Sequence, residues 1–218
     1  MGKRFYILVL LLTLAFTAKG QSIFSTIYNM DDGLSNNRVN AITQDKNGFM
    51  WFGTDDGLCR FDGIKFKTYI LSDYIDENAS SYITHLFIDS QNMMWIGTNN
   101  GITIFDYTNN KFKAFKAFTR DSIKIATPVL EIAEDKDGNV WIGTFQNGLD
   151  KFDYETETFR NYKDNSTDNL LYHIHDITEF SPGNLLVASD NGVCYFTTDD
   201  MKIKRADDTS IKFRFSPE

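Results

Sequence analysis

Cysteine, proline and histidine are all scarce here, with two, three and three residues in a chain of 218. Two cysteines cannot build the multi-bridge framework of a small secreted domain or a four-thiolate zinc site. So little proline beside 42 % hydrophobic residues marks a chain that folds, not a polyproline stretch or a disordered linker. A basic excess is missing too: 22 Lys and Arg face 30 Asp and Glu, a net charge of −8. Without a basic stripe the chain has no footprint for nucleic acid, and anionic lipid would repel it. After residue 20 no apolar run is long enough to span a bilayer. Nor is there a Ser-centred nucleophile elbow, a phosphate loop or a metal-binding Cys pair.

The N-terminus differs from the rest. Lys3 and Arg4 precede an apolar stretch at 5–16, and Ala18-Lys19-Gly20 puts small residues where a signal peptidase reads them. Residues 1–20 are therefore predicted to be a secretory signal peptide, cleaved after Gly20, and the mature chain to be periplasmic with no membrane contact of its own. Gln21 and not Cys stands immediately after that point, so no lipid anchor is expected there. Removal leaves 19 basic and 30 acidic side chains.

What the chain does have is aromatic residues, 15 % of the total, and a repeat. Trp51-Phe52-Gly53-Thr54 recurs as Trp95-Ile96-Gly97-Thr98, as Trp141-Ile142-Gly143-Thr144 and, weakly, as Leu186-Val187-Ala188-Ser189, in steps of 44, 46 and 45 residues. Turn residues precede each copy: Asp45-Lys46-Asn47-Gly48, Asp89-Ser90-Gln91-Asn92, Asp135-Lys136-Asp137-Gly138 and Ser181-Pro182-Gly183-Asn184. A glycine and an apolar residue follow each: Gly57-Leu58, Gly101-Ile102, Gly148-Leu149 and Gly192-Val193. The first unit reads as four short strands near 39–44, 49–53, 58–61 and 65–69, with turn chemistry between them.

Four antiparallel strands per unit of this length describe a propeller blade, which must stack on neighbours to bury both faces. The predicted fold is all-β, a partial β-propeller with four-stranded blades at about 39–69, 83–115, 129–162 and 174–205 within a domain of 21–218. Residues 24–28, with Phe24 and Ile27 spaced like Phe66 and Tyr69, are expected to form an orphan outer strand, and 206–218 a tail or the start of a further blade. Such an arc would expose two apolar faces, at Ile42 and Phe61 and at Ile177 and Phe196, favouring aggregation, self-association or poor folding unless four blades close on themselves.

The first copy, Val39-Asn40-Ala41-Ile42-Thr43-Gln44-Asp45 through Trp51-Phe52-Gly53-Thr54 to Arg60-Phe61-Asp62, resembles the two-component regulator propeller repeat. The lead-in Asp32-Gly33-Leu34-Ser35-Asn36-Asn37-Arg38-Val39 resembles the start of the periplasmic sensor in hybrid two-component systems of Bacteroidetes. The resemblance covers about 22–205; the fourth copy is weak, lacking both the Trp and the Asp. It implies seven-bladed propellers that sense carbohydrate breakdown products, followed by an immunoglobulin-like domain, a membrane helix, a histidine kinase, a receiver and a DNA-binding domain. This sequence is then similar to a truncated N-terminus whose partners are an oligosaccharide, missing blades and downstream signalling domains.

Repeated positions are packing positions first, so Trp51, Trp95 and Trp141 are read as core and not as sugar platforms. A ligand site should be unique to particular blades and lie in loops; its residues are unknown from sequence. Asp135-Lys136-Asp137-Gly138 resembles the start of a calcium loop but lacks the later ligands, so these Asp-Gly turns are read as hairpins that use Asp and Gly for left-handed backbone. His173 and His175 share one side of a strand, but no third metal ligand is evident, so they and His85 are not assigned to a metal. Cys59 and Cys194 hold equivalent places in the first and fourth units, too far apart to pair. No catalytic residue, metal ligand or cofactor is predicted. The function expected is ligand sensing and not catalysis; the alternatives are a propeller-fold polysaccharide lyase or glycosidase, or a protein-interaction scaffold.

Overall fold

A computed structural model describes residues 25–75, 79–107, 109–115, 127–200 and 202–205. The predicted signal peptide, Phe24 and the tail at 206–218 lie outside them. Each repeat forms one antiparallel sheet, so the expected four-stranded blades are present. The first holds β1 (Val39–Gln44), β2 (Met50–Thr54), β3 (Gly57–Phe61) and β4 (Phe66–Tyr69). The second holds β5 (Ile83–Ile88), β6 (Met93–Thr98), β7 (Gly101–Asp106) and β8 (Lys111–Phe115). The third holds β9 (Val129–Glu134), β10 (Val140–Thr144), β11 (Leu149–Asp153) and β12 (Thr158–Tyr162), and the fourth β13 (Ile174–Ser181), β14 (Asn184–Ser189), β15 (Gly192–Thr197) and β16 (Lys202–Arg205). Residues 25–29 form no strand; Tyr28 instead packs its ring 5.0 Å from Phe61 and 5.6 Å from Phe66. An outer strand needs an inner one to bond, and none is offered there among the described residues.

The sheets stack in sequence, β1 against β5, β5 against β9 and β9 against β13. No packing of comparable extent joins the fourth sheet to the first among the described residues. Each interface is an apolar layer headed by the Trp of the earlier blade. Trp51 packs with Ile83, Leu86, Met94, Ile96 and Phe105; Trp95 with Val129, Ile132, Val140, Ile142 and Phe152; Trp141 with Ile174, Ile177 and Phe196. All three indoles are essentially fully buried, as their repeated position predicts.

The motif Asp has a different task from the one read in the sequence. The left-handed backbone falls on Gly48, Asn92 and Gly138, not on Asp. Asp45 is buried, accepts the amides of Asn47 and Phe49 at 2.9 and 3.1 Å, and takes the Trp51 indole N–H at 2.8 Å. Asp89 and Asp135 take the Trp95 and Trp141 indoles at 2.7 Å each. A buried carboxylate is tolerable only when its oxygens are satisfied, and the remaining donor varies. Tyr154 of the third blade reaches back to Asp89 at 2.8 Å, whereas Asp135 is satisfied by the Asn139 side-chain amide of its own turn at 2.8 Å. Burial and the facing carboxylate raise the Tyr154 hydroxyl well above its ordinary value.

The exposed faces differ partly from those expected. Ile42 is 58 % exposed and Phe61 half-buried on the first blade, as read. Ile177 and Phe196, however, face the third blade and are buried. The outer side of the fourth blade shows Phe180 and Val193 instead, because strand alternation puts Cys194 and Phe196 on opposite sides from their neighbours.

Candidate ligand site at the third and fourth blades

The turns joining the second and third strands of all four blades lie at one end of the sheets. Three of them contain two residues between motif Thr or Ser and glycine: Asp55-Asp56, Asn99-Asn100 and Asp190-Asn191. The motif hydroxyl closes the turn each time, as Thr54 does on the Gly57 carbonyl at 3.0 Å and Ser189 on that of Gly192 at 3.2 Å. The third blade inserts one residue more, Phe145-Gln146-Asn147, and Gln146 adopts φ +67°. This longer turn pushes Phe145 out, 38 % exposed, against the segment leading into β13.

Three rings stack there. His173 lies between Phe145, at 3.8 Å and 17°, and Tyr172, at 4.0 Å and 18°. Gln146 donates its side-chain amide to the Tyr172 hydroxyl at 2.8 Å. His173 has φ +48°, a strained conformation for a non-glycine residue of the kind that collects at binding sites. Its Nδ1 lies 2.6 Å from one oxygen of Asp190, and Nε2 of His175 lies 2.5 Å from the other. Nε2 of His173 is buried without a partner among the described residues, so the network assigns the proton to Nδ1 and leaves Nε2 bare. The His175 and His173 hydrogen bonds hold the Asp190 carboxyl below its ordinary range. His175 and Asp190 stay accessible, with side-chain exposures of 56 % and 47 %. The result is an aromatic shelf beside an ionised carboxylate flanked by two imidazoles, a surface that can stack a ring and bond hydroxyls.

The two histidines converge on the Asp190 carboxylate, and among the described residues no group of His, Cys, Asp and Glu is arranged to hold a metal ion. Sequence reasoning missed Asp190, which lies in a turn 15 residues beyond His175. One legible signal pointed here, the spacing from motif Trp to the following glycine, which is one residue longer in the third copy.

A second polar row runs along the innermost strands at the position held by Ala41 in the first blade: His85, Glu131 and Asp176. His85 Nδ1 lies 3.5 Å from Glu131 Oε2. Burial pushes the Glu131 carboxyl up to about 7, with Asp176 adding to the rise, and burial lowers His85. Near neutral pH His85 is therefore uncharged and the Glu131 carboxyl only partly ionised, which is why the short separation is not a full ion pair. Cys59 and Cys194 are free and buried, and burial pushes the Cys194 thiol up to about 12, which keeps it unreactive.

Segments 33–56, 79–100 and 125–146 match the family described as two component regulator propeller, each covering an innermost strand, its Asp turn and the Trp strand. A 63-residue stretch, 29 % of this chain, is 41 % identical to Histidine kinase P4 of Formosa agariphila and spans 5 % of that protein. The extracellular domain of a hybrid two component system from B. thetaiotaomicron superposes with a TM-score of 0.71 at 28 % identity, covering 83 % of this chain and 26 % of that one. Virginiamycin B lyase from Staphylococcus aureus shares the fold alone, at 22 % identity and a TM-score of 0.60 over 86 % of this chain and 60 % of the lyase. The chain thus spans about a quarter or less of the sensor proteins it resembles.

Proposed function

We propose that this chain, which carries the two-component regulator propeller repeat, is a periplasmic ligand-sensing segment of a hybrid two-component system, and that its ligand is an oligosaccharide. The observation that carries this reading is the Phe145–His173–Tyr172 stack beside Asp190 and His175, which is confined to two blades and built from turns. A sugar presents C–H faces to an aromatic ring and hydroxyls to polar groups, and pockets of that mixed kind fix ligands by a few placed hydrogen bonds. Extracellular neighbours support the compartment, and among the described residues no helix is long and apolar enough to cross a membrane. Occupancy would bias the arrangement of the third and fourth blades and pass that bias to signalling domains elsewhere in the protein. The exposed faces of the first and fourth sheets are where further blades would dock.

Catalysis is not part of this reading. A lyase or glycosidase is the rival, favoured by one observation, the Glu131 carboxyl poised near pH 7 beside His85. Calorimetric titration of the full chain with a panel of neutral and acidic oligosaccharides separates the two. Binding lost in Phe145→Ala and His175→Ala, with every sugar recovered intact, is the expected outcome. Cleavage abolished by Glu131→Gln would overturn it in favour of the enzyme, and no binding to any sugar would remove the oligosaccharide.

A further inference from the structure

The glycine of each Trp-x-Gly-Thr motif has a job beyond flexibility. A Cβ on Gly53 would lie 2.4 Å from the Ile83 Cγ2 of the next blade. On Gly97 it would lie 2.8 Å from Val129 Cγ1, and on Gly143 2.5 Å from Ile174 Cγ2. All three approaches are closer than real side chains permit. Glycine is therefore a notch, and the first β-branched residue of the following blade is the key that fills it; Ile83, Val129 and Ile174 are at most 2 % exposed. Pairing register identifies the same place in every blade, opposite Leu58, Ile102, Leu149 and Val193.

The two ends of the arc do not match one another in these terms. Val39, at the place of Ile83, Val129 and Ile174, presents a key on the open face of the first blade, beside exposed Ile42 and half-buried Phe52. In the fourth blade the notch position is Ala188, so its methyl already stands where the key would go. We infer that the open face of the first blade is a docking surface for a β-blade that carries glycine at the notch, and that Ala188 bars the fourth blade, in this chain or in a second copy, from filling that role. The bar acts against both four-blade closure and head-to-tail chains of copies, and so narrows the self-association expected from the sequence. It does not depend on the identity of the ligand.

The variant Ala188→Gly supplies the missing notch on the full chain itself. Sedimentation velocity over a range of concentrations is expected to show wild type without head-to-tail association and Ala188→Gly associating at least tenfold more tightly. Adding Ile42→Arg, which charges the open face at an exposed position, should return it to wild-type behaviour. Val39→Ala in the wild-type background trims the key instead, and should also promote association, so that the test survives if a glycine in β14 weakens the fold. Association of Ala188→Gly no tighter than wild type, together with no gain in Val39→Ala, would overturn the inference. So would association that Ile42→Arg leaves unchanged.

Discussion

The first three blades and the fourth solve the same packing problem with different residues. In the first three a buried Asp holds a turn and a buried Trp together, and a glycine lets the next blade close in. In the fourth, Phe180 takes the place of Asp and Leu186 that of Trp, while Phe180 packs its ring 5.1 Å from Tyr195. Leu186 is only half-buried, and Val193 is 42 % exposed where Leu58, Ile102 and Leu149 are buried. Yet the fourth blade and the turn facing it hold the stacked rings and the shared carboxylate. Blades that repeat faithfully carry the packing, and under the proposed function the place where the third and fourth blades depart from the repeat carries recognition.

Large-to-small substitution should break this comparison most visibly. Trp95→Ala empties a site in a fully enclosed layer and is expected to cost about 3–5 kcal/mol, while Leu186→Ala at the equivalent place should cost about 1 kcal/mol or less because half of it is already wet. Urea unfolding of both variants measures the difference; equal losses would mean that the fourth blade is packed like the others.

A pH series sharpens the same contrast inside the third blade. Glu131 and buried Asp150 both have carboxyls raised to about 7, chiefly by burial. The unfolded chain deprotonates them near pH 4, so the folded state binds the extra protons. Their favourable contribution is complete below pH 4, declines as pH rises towards 7 and is flat beyond. Glu131→Gln should flatten part of that decline, by on the order of 1–3 kcal/mol between pH 4 and 7. Thermal melts at fixed ionic strength would show it; an unchanged pH profile would place Glu131 in water.

The smallest effect is expected at the Asp–Trp pairs. Tyr154→Phe removes one donor from Asp89 and should cost about 1 kcal/mol, as should Asn139→Ala at Asp135. The two losses should be alike, since each removes the accessory donor from an equivalent carboxylate. Denaturant midpoints would reveal whether one carboxylate depends on its donor more than the other.

The fold was legible because it is repetitive: Trp recurring in three units, and Gly and Phe in all four, mark the same strand positions, and the structure places them so. The Asp was legible as a turn residue but not as the acceptor of the Trp indole: the pair recurs at a spacing of 6 residues, but spacing alone does not say that the two side chains meet across the hairpin. The site was less legible still. His173 and His175 were visible as a pair, but their link to Asp190 crosses two strands and a turn, and Phe145 meets His173 only because adjacent blades stack. Contacts between blades depend on closure of the stack, which a single sequence shows only through small departures, such as one extra residue in a turn or an alanine where glycine is the rule.

Residue-resolved NMR of the full chain titrated with the oligosaccharide panel tests the division between stability and recognition most directly. The account predicts that a binding sugar shifts the amides of Phe145, Gln146, Tyr172, His173 and Asp190 while those around Trp51 and Trp95 stay in place. Shifts centred on the first two blades, with the Phe145–His173 region unmoved, would contradict it.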